Sequence, residues 1–216
     1  MQIEAGSKFV VTGDSVTDCG RARPAGEGLG SELGNGYVSM LNGLLNATYP
    51  ERHIRVVNTG VSGDTVRDLK ARWKTDVLDQ KPDWLSVMIG INDVWRQFDQ
   101  PTLPERGVPL DEYASTLEAL VRSALPLKGL LLLSPFYLEP NRADPMRAML
   151  DQYGSAVEEI ARRNGAVFVN TQSAMDRLLG GYYPAAITWD RVHPNPIGQA
   201  VLVRAILNAV GYRWEP

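Results

Sequence analysis

Residues of the types found in the active sites of ester hydrolases follow several strand-like segments of this chain. They are one serine, one glycine, one asparagine and an aspartate–histidine pair: Ser15, Gly63, Asn92, Asp190 and His193. A serine hydroxyl becomes a nucleophile when a base removes its proton, and a histidine base needs an acceptor to fix its tautomer. The tetrahedral intermediate of acyl transfer also needs preorganised donors for its oxyanion. The set therefore matches the groups that acyl transfer requires.

The order and spacing of these residues suggest a role for each. Ser15 would attack, His193 would take its proton and return it to the leaving alcohol, and Asp190, three residues before the histidine, would orient the imidazole. The donors to the oxyanion would be the N–H groups of Ser15 and Gly63 and the side-chain amide of Asn92. Gly63 is well suited because it stands at a predicted helix start, where backbone N–H groups lack partners at the positive end of the dipole.

Each of these residues alone also has an ordinary structural interpretation. Ser15 on its own is typical of a turn or a helix N-cap, Asn92 of a helix cap, and the Asp190–His193 pair of a surface salt bridge. Gly63 alone indicates a turn. The chemical interpretation depends on their occurring together at the ends of predicted strands, because the site of an open parallel sheet forms beyond the carboxyl ends of its strands.

Short apolar segments alternate with longer helical patterns, and these elements must position the polar residues. Segments rich in Val, Ile or Leu predict five strands: Lys8–Thr12, Ile54–Asn58, Trp84–Ile89, Gly129–Leu133 and Ala166–Val169. Apolar periodicity predicts helices over residues 36–48, 64–79, 111–125, 145–164, 171–179 and 196–209. This alternation predicts a three-layer α/β/α sandwich around a five-stranded parallel sheet, of the flavodoxin-like kind.

Three connections are longer than their elements require. They are Gly20–Asn35, Arg96–Pro109 and Ser134–Pro145. Long loops in compact domains often carry function, although surface decoration is an equally good explanation. No internal repeat or linker divides the chain, so we expect a single domain over residues 1–216.

The composition is that of a soluble globular protein and argues against several functional classes. Hydrophobic residues make up 44% and charged residues 22% of the 216, and the formal net charge is -3. Nothing in this balance favours nucleic acid or an anionic membrane as a partner. No segment approaches the roughly 18 apolar residues of a membrane span, and no signal-peptide pattern opens the chain. We therefore expect a cytoplasmic protein.

Metal and thiol chemistry are weaker interpretations. Two histidines and one cysteine are too few for a multi-histidine or cysteine-rich metal site. Asp14, Asp64 and Asp93 could gather at one sheet edge around a hard cation, but each also suits a cap or a turn. A thiol nucleophile at Cys19 is a further alternative. We expect no metal site.

The polar segments together resemble the motifs of a known family. "TGDSVTDCG", "NTGVSGDT", "IGINDVW" and "DRVHPNPIGQ" are similar to the four sequence blocks of the SGNH hydrolases, also called GDSL esterases, and span residues 12–199. The resemblance implies the α/β/α fold, Ser15 as nucleophile, and Asp190 with His193 as the rest of the triad. It implies Gly63 and Asn92, with the Ser15 N–H, as oxyanion donors, and catalysis without a metal or an organic cofactor.

Longer strings resemble one branch of that family, the intracellular acetylxylan esterases. They are "GDSVTDCGRARPAGEG", "TVRDLKARW", "KPDWLSVMIGINDVWRQ" and "YPAAITWDRVHP". The resemblance implies removal of acetyl groups from xylo-oligosaccharides by a homo-oligomeric protein. Trp95, Arg96 and Trp189 are candidate sugar contacts, because aromatic faces stack on sugar rings and an arginine donates hydrogen bonds to hydroxyls. Core packing and exposed loop polarity explain these residues equally well.

Two alternatives to an acetylxylan esterase stay open. Another esterase of the same fold, such as a short-chain carboxylesterase, a thioesterase or a lysophospholipase, would use the same triad. A flavodoxin-like binding module would have the fold without catalysis. The sequence contains no extended apolar lid of the kind expected for a long-chain lipase, which argues against lipid substrates.

Overall fold

Five parallel strands form the central sheet of the computed structural model, which describes residues 1–28 and 30–214. The strands are β1 (Lys8–Gly13), β2 (Arg55–Asn58), β3 (Trp84–Met88), β4 (Gly129–Leu133) and β5 (Val167–Val169). They lie in the order β2-β1-β3-β4-β5, and every neighbouring pair is parallel. This is the strand order of a flavodoxin-like doubly wound sheet, so the predicted fold class is confirmed.

Two parts of the predictions extend beyond the described residues. Leu29, within the predicted loop Gly20–Asn35, and the last two residues of the predicted domain 1–216 lie outside them.

Eight α-helices occur among the described residues and cover both faces of the sheet. They are α1 (Ser15–Asp18), α2 (Tyr37–Thr48), α3 (Val66–Trp73), α4 (Ile91–Asp99), α5 (Leu110–Ala124), α6 (Pro145–Arg163), α7 (Thr171–Leu179) and α8 (Pro196–Ala209). Helices α2, α7 and α8 pack on one face, and α3, α5 and α6 on the other. Within the described ranges, no helix is both long and apolar enough to cross a membrane.

The core is divided by the sheet into two apolar layers. Because side chains alternate along a strand, Phe9 and Val11 of β1 join the layer of α2 and α8, while Val10 joins the layer of α3 and α5. All three side chains are fully buried, and each such burial is worth roughly 1.5–3 kcal/mol. Burial on both faces explains why the strands are continuous apolar runs in the sequence.

Helix α4 differs from the expectation for its part of the chain. The predicted loop Arg96–Pro109 is wrong at its start, because its first four residues belong to a helix that begins directly after Gly90. The buried residues Ile91 and Val94 lie on the inner side of this helix. Two polar residues stand between them in the sequence. Because the helix is also short, its apolar periodicity is too weak to predict it.

Two further elements differ in detail from the predictions. The predicted helix 64–79 divides into α3 and a π-helical segment, Lys74–Leu78. Helix α1 has only four residues, which is too short to produce a periodic pattern. The predicted loop Ser134–Pro145 is present and ends where Pro145 becomes the first residue of α6, a position that suits proline because its missing N–H would lack a partner there.

The end of β1 passes very close to β3 and α1. A Cβ atom added at Gly13 would lie 2.3 Å from the carbonyl oxygen of Met88 and 2.5 Å from Oγ1 of Thr17. Only a residue without a side chain fits at this position. Gly13 therefore allows β1 to deliver the next residues, Asp14 and Ser15, to the edge of the sheet.

We expect Gly13→Ala to lower the free energy of unfolding by about 1–3 kcal/mol, because the added methyl group must displace neighbouring atoms on two sides. The matched control is Gly43→Ala inside α2, where an added Cβ has no neighbour within 4 Å. The free energy of unfolding of the control variant should rise by roughly 0.5–1 kcal/mol, because alanine has a higher helix propensity than glycine. Urea denaturation measures both changes, and a Gly13→Ala protein as stable as the wild type would contradict the steric argument.

Candidate active site

Ser15 is the first residue of helix α1 and lies two residues after the end of β1. The preceding Asp14 is the helix N-cap, and its Oδ1 accepts a hydrogen bond of 3.0 Å from the N–H of Val16. The first residues of a helix have no intrahelical acceptor for their N–H groups, so the helix leaves the N–H of Ser15 available. Asp14, for which the sequence indicated only a cap, a turn or a cation ligand, shapes the turn that presents the candidate nucleophile.

The hydroxyl of Ser15 lies within hydrogen-bonding distance of His193. Oγ of Ser15 is 2.7 Å from Nε2 of His193, and Nδ1 of the same ring is 2.5 Å from Oδ2 of Asp190. This row of hydroxyl, imidazole and carboxylate is the arrangement of a Ser-His-Asp triad. The structure thus brings together three predicted residues, of which Ser15 and His193 are 178 positions apart.

Backbone groups of a short loop hold Asp190 beside the imidazole. Its Oδ1 accepts hydrogen bonds from the N–H groups of Val192 (2.9 Å) and His193 (2.8 Å) and from the hydroxyl of Thr188 (3.0 Å). Burial by itself would raise the pKa of Asp190, but the hydrogen bonds from His193 and Val192 hold that pKa below its usual value. The carboxylate is therefore ionised at neutral pH and can stabilise an imidazolium.

Gly63 and Asn92 lie on neighbouring segments that are joined by a hydrogen bond. Nδ2 of Asn92 donates a 2.9 Å hydrogen bond to the carbonyl oxygen of Asp64, the residue directly after Gly63. Gly63 has a φ of +87° and open space where a Cβ would lie, and its N–H has no acceptor among the described residues. The two predicted donors are therefore close neighbours, and their action on an oxyanion stays a prediction.

Two of the aromatic candidates contact the imidazole directly. The indole of Trp189 stacks on the ring of His193, with centroids 6.2 Å apart and an interplanar angle of 8°. Trp95 meets the same ring edge-on, at 6.1 Å and 61°. Because Trp95 follows Asn92 by three residues on α4, this contact brings the helix of the asparagine against the triad. Trp189 is 85% exposed, so most of its surface stays open beside the triad.

Arg96 belongs to helix α4 and contacts its own helix. Its Nη2 donates a 3.1 Å hydrogen bond to Oδ1 of Asn92, and its guanidinium forms an ion pair with Asp99. The predicted roles of Trp95, Arg96 and Trp189 in binding a sugar stay predictions.

Arg72 of helix α3 connects the end of β1 with the segment that follows β2, and sequence reasoning missed it. Its guanidinium donates hydrogen bonds to the carbonyl oxygens of Gly13 (2.8 Å) and Thr59 (2.6 Å) and to the carboxylate of Asp64 (2.5 Å). One side chain therefore holds both segments that supply the candidate nucleophile and a candidate oxyanion donor. Its only sequence signal is a spacing of three residues from the buried Leu69, which places it near the inner face of α3.

Two buried carboxyl groups beside the site have raised pKa values. Burial raises the pKa of Asp14 and that of Asp93 to about 7. Oδ1 of Asp93 accepts a 2.9 Å hydrogen bond from the N–H of Val66, while its buried Oδ2 has no partner among the described residues. This environment suits a protonated carboxyl group. In the part of the chain that the structure describes, no group of three or more His, Cys, Asp or Glu side chains is placed to hold a metal ion.

The environment of Cys19 disfavours the alternative of a thiol nucleophile. Burial raises the pKa of its thiol to about 11, so the reactive thiolate is a very small fraction at neutral pH. The sulfur also donates a 3.3 Å hydrogen bond to the carbonyl oxygen of Val16 within α1.

We expect Asp93→Asn to change how stability depends on pH. The unfolded carboxyl has a pKa near 3.8 and the folded one about 7, so the contribution of the protonated group is fully present below about pH 4 and is lost as the pH rises through 7. Asn keeps the acceptor for the Val66 N–H but does not ionise. The free energy of unfolding of the variant, relative to that of the wild type, should therefore rise by up to about 4 kcal/mol between pH 4 and pH 8.

Urea denaturation at pH 5 and pH 8 measures this trend. Asp111→Asn, at an exposed residue in the first turn of α5, is the control for replacing an aspartate in general. The expectation fails if the difference in unfolding free energy between Asp93→Asn and the wild type is the same at both pH values.

Comparison with known proteins places this geometry among esterases. The GDSL-like lipase/acylhydrolase family matches residues 11–201. An acetylxylan esterase of Geobacillus stearothermophilus is 56% identical over 215 residues, covering 99% of this chain and 98% of the relative. The crystal structure of Axe2, an acetylxylan esterase from that organism, matches with a TM-score of 0.98 and 55% identity, over 100% of this chain and 99% of the other.

A second solved structure and variants of the first extend the comparison. LAE5, an α/β hydrolase enzyme from the metagenome of Lake Arreo in Spain, matches with a TM-score of 0.95 and 52% identity, over 98% of each chain. Further structures of Axe2 are of catalytic mutants in which a serine, an aspartate or a histidine is replaced by alanine.

Proposed function

The chain belongs to the GDSL-like lipase/acylhydrolase family of carboxylic ester hydrolases, and we propose that it removes acetyl groups from acetylated xylo-oligosaccharides. The observation that carries the proposal is the row of contacts from Ser15 through His193 to Asp190, at 2.7 and 2.5 Å. The choice of substrate is supported by the relative with 56% identity, an acetylxylan esterase whose alignment covers nearly all of both chains.

In the first half of the proposed reaction, the sugar ester transfers its acetyl group to the protein. Oγ of Ser15 attacks the carbonyl carbon while Nε2 of His193 takes the hydroxyl proton. The imidazolium that forms is stabilised by the ionised Asp190 at Nδ1. Nε2 then gives the proton to the sugar oxygen as the ester C–O bond breaks. The deacetylated sugar leaves, and the acetyl group remains bound to Ser15.

In the second half, water removes the acetyl group from Ser15. Nε2 of His193 takes a proton from the water whose oxygen attacks, and returns it to Oγ as acetate leaves. In both halves the carbonyl oxygen becomes an oxyanion, for which we propose three donors: the N–H groups of Ser15 and Gly63 and the amide of Asn92. Removing one such donor typically costs about 10²–10³-fold in kcat.

A cleft of about 660 Å³ beside the triad supports a sugar as the alcohol part of the ester. Its wall combines aromatic side chains with hydroxyl and charged groups, among them Glu139, Tyr182, Tyr183, Thr188, Trp189 and Arg191. Aromatic faces stack on sugar rings, and the polar groups can bind sugar hydroxyls. Because Trp189 also stacks on His193, a sugar bound against this indole would lie beside the catalytic base.

Acetate release from acetylated xylo-oligosaccharides is the direct test of this function. We expect release by the wild type and a loss of about 10⁴-fold or more in kcat/KM for Ser15→Ala, because the acyl-enzyme path requires the hydroxyl. Ser115→Ala, which removes an exposed hydroxyl on α5, is the matched control and should keep full activity. A folded Ser15→Ala protein with undiminished activity would contradict the triad.

Aryl esters of increasing acyl length distinguish an acetylesterase from other esterases of the same fold. We expect kcat/KM to fall by about tenfold or more from 4-nitrophenyl acetate to the octanoate, with the butyrate between them. The physical reason is that the apolar pocket lined by both neighbours of Ser15, Asp14 and Val16, has a volume of only about 10 Å³, which leaves little apolar space there for a long acyl chain. A clear preference for the octanoate would contradict the proposal and favour an enzyme of the lysophospholipase type.

Three further expectations stay predictions. They are a cytoplasmic location, a homo-oligomeric assembly and a single domain over residues 1–216.

A further inference from the structure

The neighbours of Asn92 allow only one orientation of its side-chain amide. Oδ1 lies 3.1 Å from Nη2 of Arg96, and Nδ2 lies 2.9 Å from the carbonyl oxygen of Asp64. A guanidinium can only donate hydrogen bonds, and a backbone carbonyl can only accept them. The atom that faces Arg96 must therefore be the amide oxygen, and the atom that faces Asp64 must be the amide nitrogen.

This orientation leaves one N–H of Asn92 for a substrate oxygen. Nδ2 carries two hydrogens, and the carbonyl of Asp64 accepts one of them. Rotation of the amide by half a turn would place its oxygen against that carbonyl and its NH₂ group against the guanidinium. Both contacts would then be repulsive, so Arg96 and Asp64 favour the same orientation of the Asn92 amide.

Arg96 is itself restrained by contacts along helix α4. Its guanidinium forms an ion pair with Asp99 and lies over the indole of Trp95, with the central carbon 4.7 Å from the ring centroid. The side chain is 22% exposed. Asn92, Arg96 and Asp99 are separated by four and three residues, so they share one face of the helix. The guanidinium is therefore held beside the amide without help from a bound ligand.

We infer that Arg96 is a positioning residue of the oxyanion hole that acts through the amide of Asn92, an inference that rests on the proposed function. The guanidinium engages Oδ1 and thereby keeps an N–H of Nδ2 available to the substrate oxyanion. Its positive charge also polarises the amide of Asn92, which strengthens the N–H donor as negative charge develops on the substrate oxygen. This role differs from the sugar contact predicted for Arg96 from the sequence, and the two roles have different kinetic consequences.

A double-mutant cycle on 4-nitrophenyl acetate, which has an acetyl ester but no sugar, tests the inference. Arg96→Met keeps an apolar stem over Trp95 and removes the hydrogen bond. We expect kcat to fall about 10²–10³-fold in Asn92→Ala and about tenfold in Arg96→Met, with KM changed less than about twofold. The double variant should be no slower than Asn92→Ala, because Arg96 acts only through the amide.

Two other variants and a folding measurement separate positioning from general stability. Arg96→Lys keeps a donor on a long stem and should restore part of the lost kcat. Arg162→Met is the matched control, because this exposed arginine of α6 forms an ion pair with Glu159, three residues away on its own helix, and it should leave kcat unchanged. Thermal unfolding is measured for every variant, and if Arg96→Met does not fold, Arg96→Lys completes the cycle with Asn92→Ala.

Two results would overturn the inference. One is a double variant in which the two losses multiply. The other is a raised KM on acetylated xylo-oligosaccharides with unchanged kcat on 4-nitrophenyl acetate, the result expected of a sugar contact. Failure of the proposed function gives a different result. If the wild type cleaves only the aryl ester, the proposed substrate is wrong but the double-mutant cycle can still be measured. If the wild type is inactive on both esters, both proposals are overturned.

Discussion

The hydrogen bond between Ser15 and His193 joins two parts of the fold that are 178 positions apart in the chain. Ser15 follows β1, which lies between β2 and β3 in the sheet. His193 lies just before α8, which packs against α2 and α7 on one face of that sheet. The 2.7 Å contact therefore forms only when the sheet and this helical layer are assembled together. The geometry of the candidate triad therefore depends on the assembled fold.

Around this contact, partly buried charged groups are held by backbone atoms as well as by side chains. Arg72 donates to the carbonyl oxygens of two neighbouring segments, and Asp190 accepts two backbone N–H groups. Buried ionic groups add little net stability, although removing one partner is costly, so what they contribute here is one defined geometry. The pKa values of these carboxyl groups shift in opposite directions: hydrogen bonds outweigh burial and lower that of Asp190, whereas burial dominates and raises those of Asp14 and Asp93.

Much of the fold could be predicted because its strands are buried on both faces, which leaves unambiguous apolar runs. Helix α4 could not, since its apolar pattern is short and interrupted by polar residues. Ser15, Asp190 and His193 could be predicted as a candidate triad from residue types and order, and the structure brings them into contact. The contacts of Arg72 and Arg96 could not, because no local pattern shows which arginine of an amphipathic helix reaches a carbonyl or an amide nearby.

Local sequence patterns are sufficient to predict the alternation of strands and helices and the chemical groups that follow each strand. Both are local properties, because apolar periodicity and the residues after a strand can be read without knowing what lies opposite. Which atoms meet is visible in the folded structure alone: the hydroxyl of Ser15 with the imidazole of His193, Arg72 with two strand ends, and the amide of Asn92 with Arg96. A hydrogen bond allows its donor–acceptor distance to vary by only a few tenths of an ångström. Between residues far apart in the chain, that distance is set by the packing of helices on the sheet.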